Sequence, residues 1–333
     1  MNPISSAVAA LCAAVCLPCQ QTLTAHPQNT LTGGNGNFSP FGVFSTGNGA
    51  EGHTQFLVPA QELPAIGAVL VGIELAALVP GTVDYASLQI SASPTTATSL
   101  SMTFASNVVN PATVVLPAGP LQATFSTSAW TRIDFPTPYG HDGTSALVLD
   151  IQKVAQPIGG SFQFVTHLKN ALPPRTDRPQ MVYAFSNPGG GGSTATTAFA
   201  NDEPISFRLV WLGTPTLRNQ SDAGMFGGLQ YAVGTTVTLT TQGSPGFLWA
   251  LAAGAAFFTP GIPVPGITGE FRLNGPVVFA AGLLDVQGLG STGIAIPNNP
   301  MLVGLYLAYQ GGTIDPSTGQ IVLTNGTDHF VNM

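Results

Sequence analysis

Nucleophilic, acid–base and metal chemistry each need particular residue types in particular patterns, and this chain has few of them. Its five histidines, His26, His53, His141, His167 and His329, are too dispersed for the His-x-His or His-x-x-x-His pairs that hold zinc. No Gly-x-Ser-x-Gly elbow occurs, and Gly243-Ser244-Pro245-Gly246 and Gly290-Ser291-Thr292-Gly293 read as ordinary turns. The tetraglycine at 189–192 lacks a following Lys-Ser/Thr and opens no helix, so it reads as a surface loop and not a phosphate cradle. Polar chemistry is densest in residues 130–151, where His141 adjoins Asp142 in a Gly-His-Asp-Gly-Thr turn. Trp130 precedes that turn and Tyr139 reads as part of a Pro-flanked turn after Pro136 and Pro138, both aromatics able to stack on a sugar ring. Tyr139, His141, Asp142 and Trp130 are therefore the candidate ligand-binding residues. Asp-Gly turns also form without any function, and strand aromatics commonly end in a core.

No catalytic residue is assigned. Paired carboxylates for glycoside hydrolysis are defined by spatial separation, and Asp134, Asp142 and Asp150 are where such a pair would lie. A structural calcium would need converging oxygens, which Asp142 with Thr144, or Asp202 with Glu203, could contribute; no Asp-x-Asp-x-Asp-Gly loop supports it. No other cofactor is expected.

Composition narrows the partners. Charged residues are 7% of the 333, against roughly a quarter in an ordinary soluble protein, and the net charge is −7. Eight Lys plus Arg, scattered singly, leave no footprint for nucleic acid and no polybasic patch for anionic lipid. Neutral partners remain: polysaccharide, other proteins or copies of the same chain. Forty Gly, 28 Pro and much Thr, Ser, Asn and Gln disfavour helices and favour strands joined by turns.

The elements that would position these residues read as all-β. Residues 130–135 and 146–151 alternate around the polar turn and predict the central hairpin of the first domain. Alternating or apolar runs at 55–58, 68–78, 85–91, 100–109, 114–116, 123–125, 161–165, 181–185 and 205–211 predict further strands, with an edge strand at 41–44. Short strands at this spacing predict a jelly-roll-like β-sandwich over 26–212. Periodicity fades over 213–231, read as a linker. Strands at 235–241, 247–256, 271–273, 277–280, 293–296, 302–309 and 320–323 then predict a smaller, immunoglobulin-like β-sandwich over 232–333, without its Cys-Trp-Cys pattern.

All three cysteines, Cys12, Cys16 and Cys19, lie within an N-terminal segment whose apolar run at 4–17 suits a signal-peptide core better than a membrane span. Residues 1–25 are assigned as a signal peptide, with cleavage after Cys16, Cys19 or Ala25. A buried N-terminal helix is the alternative, since no Lys or Arg precedes the run. Export to the cell surface or medium follows, with no membrane span in the mature chain.

The run Phe258-Thr-Pro-Gly-Ile-Pro-Val-Pro-Gly266, with Ile296-Pro-Asn-Asn-Pro300, Leu302-Val-Gly304, Tyr309-Gln310, Asp315-Pro316 and Leu323-Thr-Asn325, resembles the C-terminal domain of secreted proteins of planctomycetes and related environmental bacteria. Phe56-Leu-Val-Pro-Ala60, Thr103-Phe-Ala105, Phe135-Pro-Thr-Pro-Tyr139 and Asp142-Gly-Thr144 resemble the uncharacterised β-sandwich beside it. The resemblance implies export and a two-domain β architecture; it transfers no activity. The expected function is a non-enzymatic surface or extracellular protein for adhesion, carbohydrate binding or assembly. A secreted polysaccharide hydrolase, or a tandem β-sandwich shell or virion protein, is the alternative.

Overall fold

A computed structural model of the chain describes residues 21–26, 36–37, 40–43, 49–75, 77, 79–109, 111–156, 164–165, 180–187, 189–198, 200–202, 205, 207–221 and 232–331. The fold is all-β. Among the described residues the helical elements are four three-residue 3₁₀ turns, and no helix is long and apolar enough to cross a membrane.

The first half contains β1 (Gln21–His26), β2 (Gly36–Asn37), β3 (Glu51–Val58), β4 (Ala68–Leu75), β5 (Gly81–Thr95) and β6 (Thr113–Phe125). It continues with β7 (Thr131–His141), β8 (Ala146–Ala155), β9 (Phe164–Val165), β10 (Gln180–Ser186), β11 (Ala200–Asp202) and β12 (Phe207–Leu212). Antiparallel pairing builds a four-stranded sheet, β1-β12-β4-β7, and a six-stranded one, β11-β10-β3-β8-β5-β6; β2 pairs with β9. One apolar core joins the two main sheets. Ile133 and Phe135 of β7, Leu70 and Ile73 of β4 and Trp211 of β12 meet Phe56, Ile90, Leu149 and Ile151 of the larger sheet. The period-2 alternation of β7 gives this face directly, with Ile133 and Phe135 inside and Asp134 and Pro136 outside.

Residues 130–151 do not form a hairpin. β7 bonds β4 while β8 bonds β3 and β5, so the turn at 142–145 carries the chain from one sheet to the other. Both strands still point apolar residues at one core, but from opposite sides of it. Gly143, at φ +86°, makes the crossing possible: a Cβ there would stand 2.6 Å from the Ile66 carbonyl carbon. Pro136 and Pro138 interrupt the ladder, whose register slips between Asp134↔Gly72 and Tyr139↔Leu70.

Four further expectations differ from the structure. Residues 100–109 form a loop with a 3₁₀ turn at Phe104–Ser106 and not a strand, because Asn107 supplies side-chain bonds to Ser101 that a ladder would have provided. Residues 21–25, assigned to a leader, belong to β1. There Thr22 donates to the Thr214 carbonyl, and Thr24 accepts the Trp211 indole N–H. The expected linker also begins inside structure, since β13 (Thr216–Ser221) follows β12 after three residues. The proposed edge strand is not formed over 41–43, where a turn at 40–41 leads into irregular chain with Phe41 and Val43 buried; Phe44 lies outside the described residues, as do 157–163 and 222–231.

The second half comprises β13, β14 (Thr236–Gln242), β15 (Leu248–Gly254), β16 (Ala256–Pro263), β17 (Ile267–Thr268), β18 (Glu270–Asn274), β19 (Val277–Leu283), β20 (Leu289–Ala295), β21 (Tyr306–Ile314) and β22 (Ile321–Phe330). Its sheets are β13-β14-β20 and β17-β22-β21-β15-β19, with β16 and β18 as a separate pair. Its own core gathers Leu217, Val237, Leu239, Trp249, Leu251 and Tyr309.

One cation joins the halves. Arg272 on β18 is 2% exposed, and its guanidinium reaches into the first half. Nη1 donates to the Ala60 and Leu63 carbonyls and Nη2 to the Gly143 carbonyl at 2.9 Å. Glu270 lies 3.4 Å from Nη2 as the countercharge. Burial lowers the Arg272 pKa, an effect that Glu270 opposes. Gln310 braces the strand, accepting the Arg272 N–H and donating to the Glu270 carbonyl. Arg272→Ala leaves three buried carbonyls without their donor, at a cost of about 3 kcal/mol or more. Denaturant unfolding should show that loss, and protease should cut sooner between β12 and β13. Unchanged stability and unchanged cutting would show that the halves are held by something else.

Candidate functional site

The structure does not gather the four residues singled out by sequence on one exposed surface. Tyr139 is not in a turn: it lies on β7 opposite Leu70, 5% exposed, in the core. Burial, helped by the Asp142 charge, pushes its hydroxyl pKa up to about 12. Its ring therefore presents no free stacking face. His141 is also buried, 5.7 Å from the Trp211 ring. Neither imidazole nitrogen has a partner in full hydrogen-bond geometry. Burial lowers its pKa to about 4; Arg272 adds to that, while Asp142 and the Pro64 carbonyl oppose it. Asp142 is half-exposed and serves the turn, accepting the N–H groups of Thr144 and Ser145 and the Ser145 hydroxyl. Those bonds outweigh its partial burial and hold the carboxyl at about 2. Trp130 is half-buried, with the Arg208 guanidinium 4.0 Å above its ring.

The candidate acid pair is not assembled. Asp134 faces outward from the four-stranded sheet beside Arg132, and Asp150 faces outward from the opposite sheet, so the core separates them. Asp142 is taken up by its own turn. The side chain of Asp202 and the whole of Glu203 lie outside the described residues. Among those described, no group of three or more His, Cys, Asp or Glu side chains converges.

What sequence reading missed is a polar network on the outer face of the six-stranded sheet. Every residue of β3 is buried, because loops 98–109 and 187–198 cover the face that alternation would leave to solvent. There His53 bonds the Asp150 carboxylate at 2.9 Å and the Ala195 carbonyl at 2.7 Å, and stacks on Phe104 at 3.7 Å. Gln55 donates to Asp150 and to the Phe104 carbonyl, and Asn107 donates to Gln55. Glu51 accepts the N–H groups of Gly189 and Gly191 from the tetraglycine loop. Every polar atom named faces another part of the protein, so the network fastens loops to a sheet and presents no nucleophile.

Two features face outward. The first is a cleft of about 540 Å³ where the halves meet, walled by residues 95–98 and 144–146 on one side and by Phe258, Pro260 and Glu270 on the other. Between Phe257 and Ile262, β16 parts from β18, and the intervening residues form the outer wall. Gly261 lets that wall pass over β18, since a Cβ there would stand 2.7 Å from the Glu270 carboxylate. The second is the edge strand β19. Val277, Val278 and Leu283 are 65–66% exposed there, Val286 beyond it is 83% exposed, and Leu248 on neighbouring β15 is exposed as well. Across residues 275–314 the only charge is Asp285.

No protein-family model matches the chain, and no curated protein is significantly similar to it.

The His141 environment makes a pH test. Its folded pKa of about 4 lies below the unfolded value of 6.5, so the unfolded chain takes up the proton first as pH falls. Stability contributed by the neutral ring is complete above pH 6.5 and is lost between 6.5 and 4, on the order of 3 kcal/mol in all. The Asp142 contribution is lost only below its ordinary 3.8. Unfolding free energies measured across pH 4–7 should therefore slope less in His141→Phe than in the parent; equal slopes would refute the assignment.

Proposed function

We propose that the chain is an exported, non-enzymatic β-sandwich protein of the cell surface or extracellular matrix that works by assembly, packing against neutral neighbours through its second half. The observation that carries this is the edge strand β19. Among the described residues it has one hydrogen-bonded neighbour, β15, and β19 contributes Val277, Val278 and Leu283 as large exposed apolar side chains. Edge strands of soluble proteins are ordinarily guarded by Lys, Pro or inward charges, because an open edge pairs with other chains. This strand carries no charge and no proline. An uncharged apolar surface of this kind marks an interaction site, and little electrostatic repulsion opposes close packing there.

The finer architecture belongs to the same reading. In the first half β3 to β8 pass between sheets in the order large, small, large, large, small, large. Facing sets β1-β12-β4-β7 and β3-β8-β5-β6 support a jelly roll, with β10 and β11 added at one edge. In the second half β13-β14-β20 faces β22-β21-β15-β19, an arrangement that supports an immunoglobulin-like sandwich. Export rests on the apolar run at 4–17, on a folded part without cysteine, and on the resemblance to secreted planctomycete proteins. Because β1 is built into the sheet, removal of a leader fits cleavage after Cys16 or Cys19 better than after Ala25.

Sedimentation of the purified chain across a concentration series tests the reading. The parent should associate as concentration rises, and Val277→Lys/Val278→Lys should weaken association at least tenfold while leaving the thermal midpoint nearly unchanged, since both side chains are already exposed. A parent that stays monomeric throughout, or a variant that associates equally well, would reject assembly through β19.

A further inference from the structure

The cleft between the two halves is a separate feature, with no lining residue from β19. We infer that it is a binding site for a neutral polyhydroxyl ligand, a short saccharide by chemical class. Its size, about 540 Å³, is that of small-molecule sites in general. The polar groups already satisfied there decide the ligand class.

Arg272 lines the cleft but offers no anion site. It is almost wholly buried, and its terminal nitrogens are engaged with the carbonyls of Ala60, Leu63 and Gly143 and with Glu270. A phosphate, sulfate or carboxylate would find no free positive charge. Glu270 is the one acid on the wall, an acceptor suited to hydroxyl donors. The hydroxyls of Thr96, Thr98 and Thr144 are on exposed residues of the opposite wall and make no side-chain bond within the described protein. Hydroxyls both donate and accept, which is what a ligand carrying several hydroxyl groups requires. Phe258, half-buried on the far wall, supplies an aromatic surface against which the C–H face of a sugar ring packs. One acceptor charge, several free hydroxyls and one ring, with no available cation, make a set that selects for neutral, hydroxyl-rich molecules.

The wall that closes the cleft is also built for the purpose of leaving space. Residues 258–261 are withdrawn from the β16–β18 ladder, and Gly261 brings the backbone within reach of Glu270 where any side chain would displace it.

Saturation-transfer NMR on the full chain tests the inference, with cellobiose, maltose and chitobiose as neutral probes and methyl phosphate, whose methyl protons report binding, as the anionic control. Transfer from at least one disaccharide is expected, with apparent affinity weakened at least tenfold in Thr98→Trp, which fills the cleft from an exposed position. Thr144→Val, which removes one hydroxyl and little volume, should weaken the same probe by a smaller factor. Thermal midpoints of both variants near that of the parent would show that the fold is intact. No transfer from any of the three disaccharides, transfer to methyl phosphate alone, or disaccharide binding unaltered by Thr98→Trp would each overturn it. Because neither variant touches β19, loss of saccharide binding with association intact separates this inference from the assembly reading.

Discussion

A single guanidinium sealed between two β units sets the terms for much of this molecule. Among residues 232–333, Arg272 is the only Lys or Arg, and it is buried. A charge taken out of water is tolerated when its donors are met, and here three carbonyls and one carboxylate meet them. Those carbonyls come from the 3₁₀ turn at Ala60–Glu62, from Leu63 and from the sheet-crossing turn at Gly143. The first half must hold these loops in one arrangement for the second half to dock. The same cation helps to keep His141 neutral, so the titration of one buried ring is linked to the seating of the other half.

How far the sequence could foretell this depends on the kind of contact. Strand alternation survived well: 68–75, 81–95 and 236–242 became strands, and the apolar positions of β7 point to the core as their period requires. Pairing partners did not follow from alternation. Residues 130–151 carry a turn and two β-prone runs, the local signature of a hairpin, yet each run finds its ladder in a different sheet. Local signals define strands and turns, but which strands bond is decided by long-range closure of the sandwich. The same limit misplaced Tyr139, whose flanking prolines suggested a turn, whereas they produce a bulge within β7 and leave the ring in the core.

The polar networks were illegible for a related reason. Glu51, His53 and Gln55 alternate on β3 as solvent-facing residues would, and only the two covering loops turn that face into an interior. Residues 187–198 are rich in Gly, Ser and Thr, which reads as surface; nothing local announces that the N–H groups of Gly189 and Gly191 satisfy a buried carboxylate. Arg272 is the exception, since a lone cation in a hundred otherwise cation-free residues is itself a signal. Its partners are backbone carbonyls, and those leave no trace in residue type.

Scarcity of charge links the edge strand and the cleft. Ordinary surfaces use charge both to stay apart from copies of themselves and to mark their ligands, and a chain with 7% charged residues does neither freely. Where its few charges do occur in the second half, they are spent on structure: Asp315 caps its own turn, and Arg272 and Glu270 hold the junction. The outer faces are left to apolar side chains and hydroxyls. Such a surface discriminates by shape and by hydrogen bonding, interactions that salt screens weakly. Ionic strength should consequently have little influence on either β19 contacts or cleft occupancy, in contrast to what a charge-steered recognition surface would show.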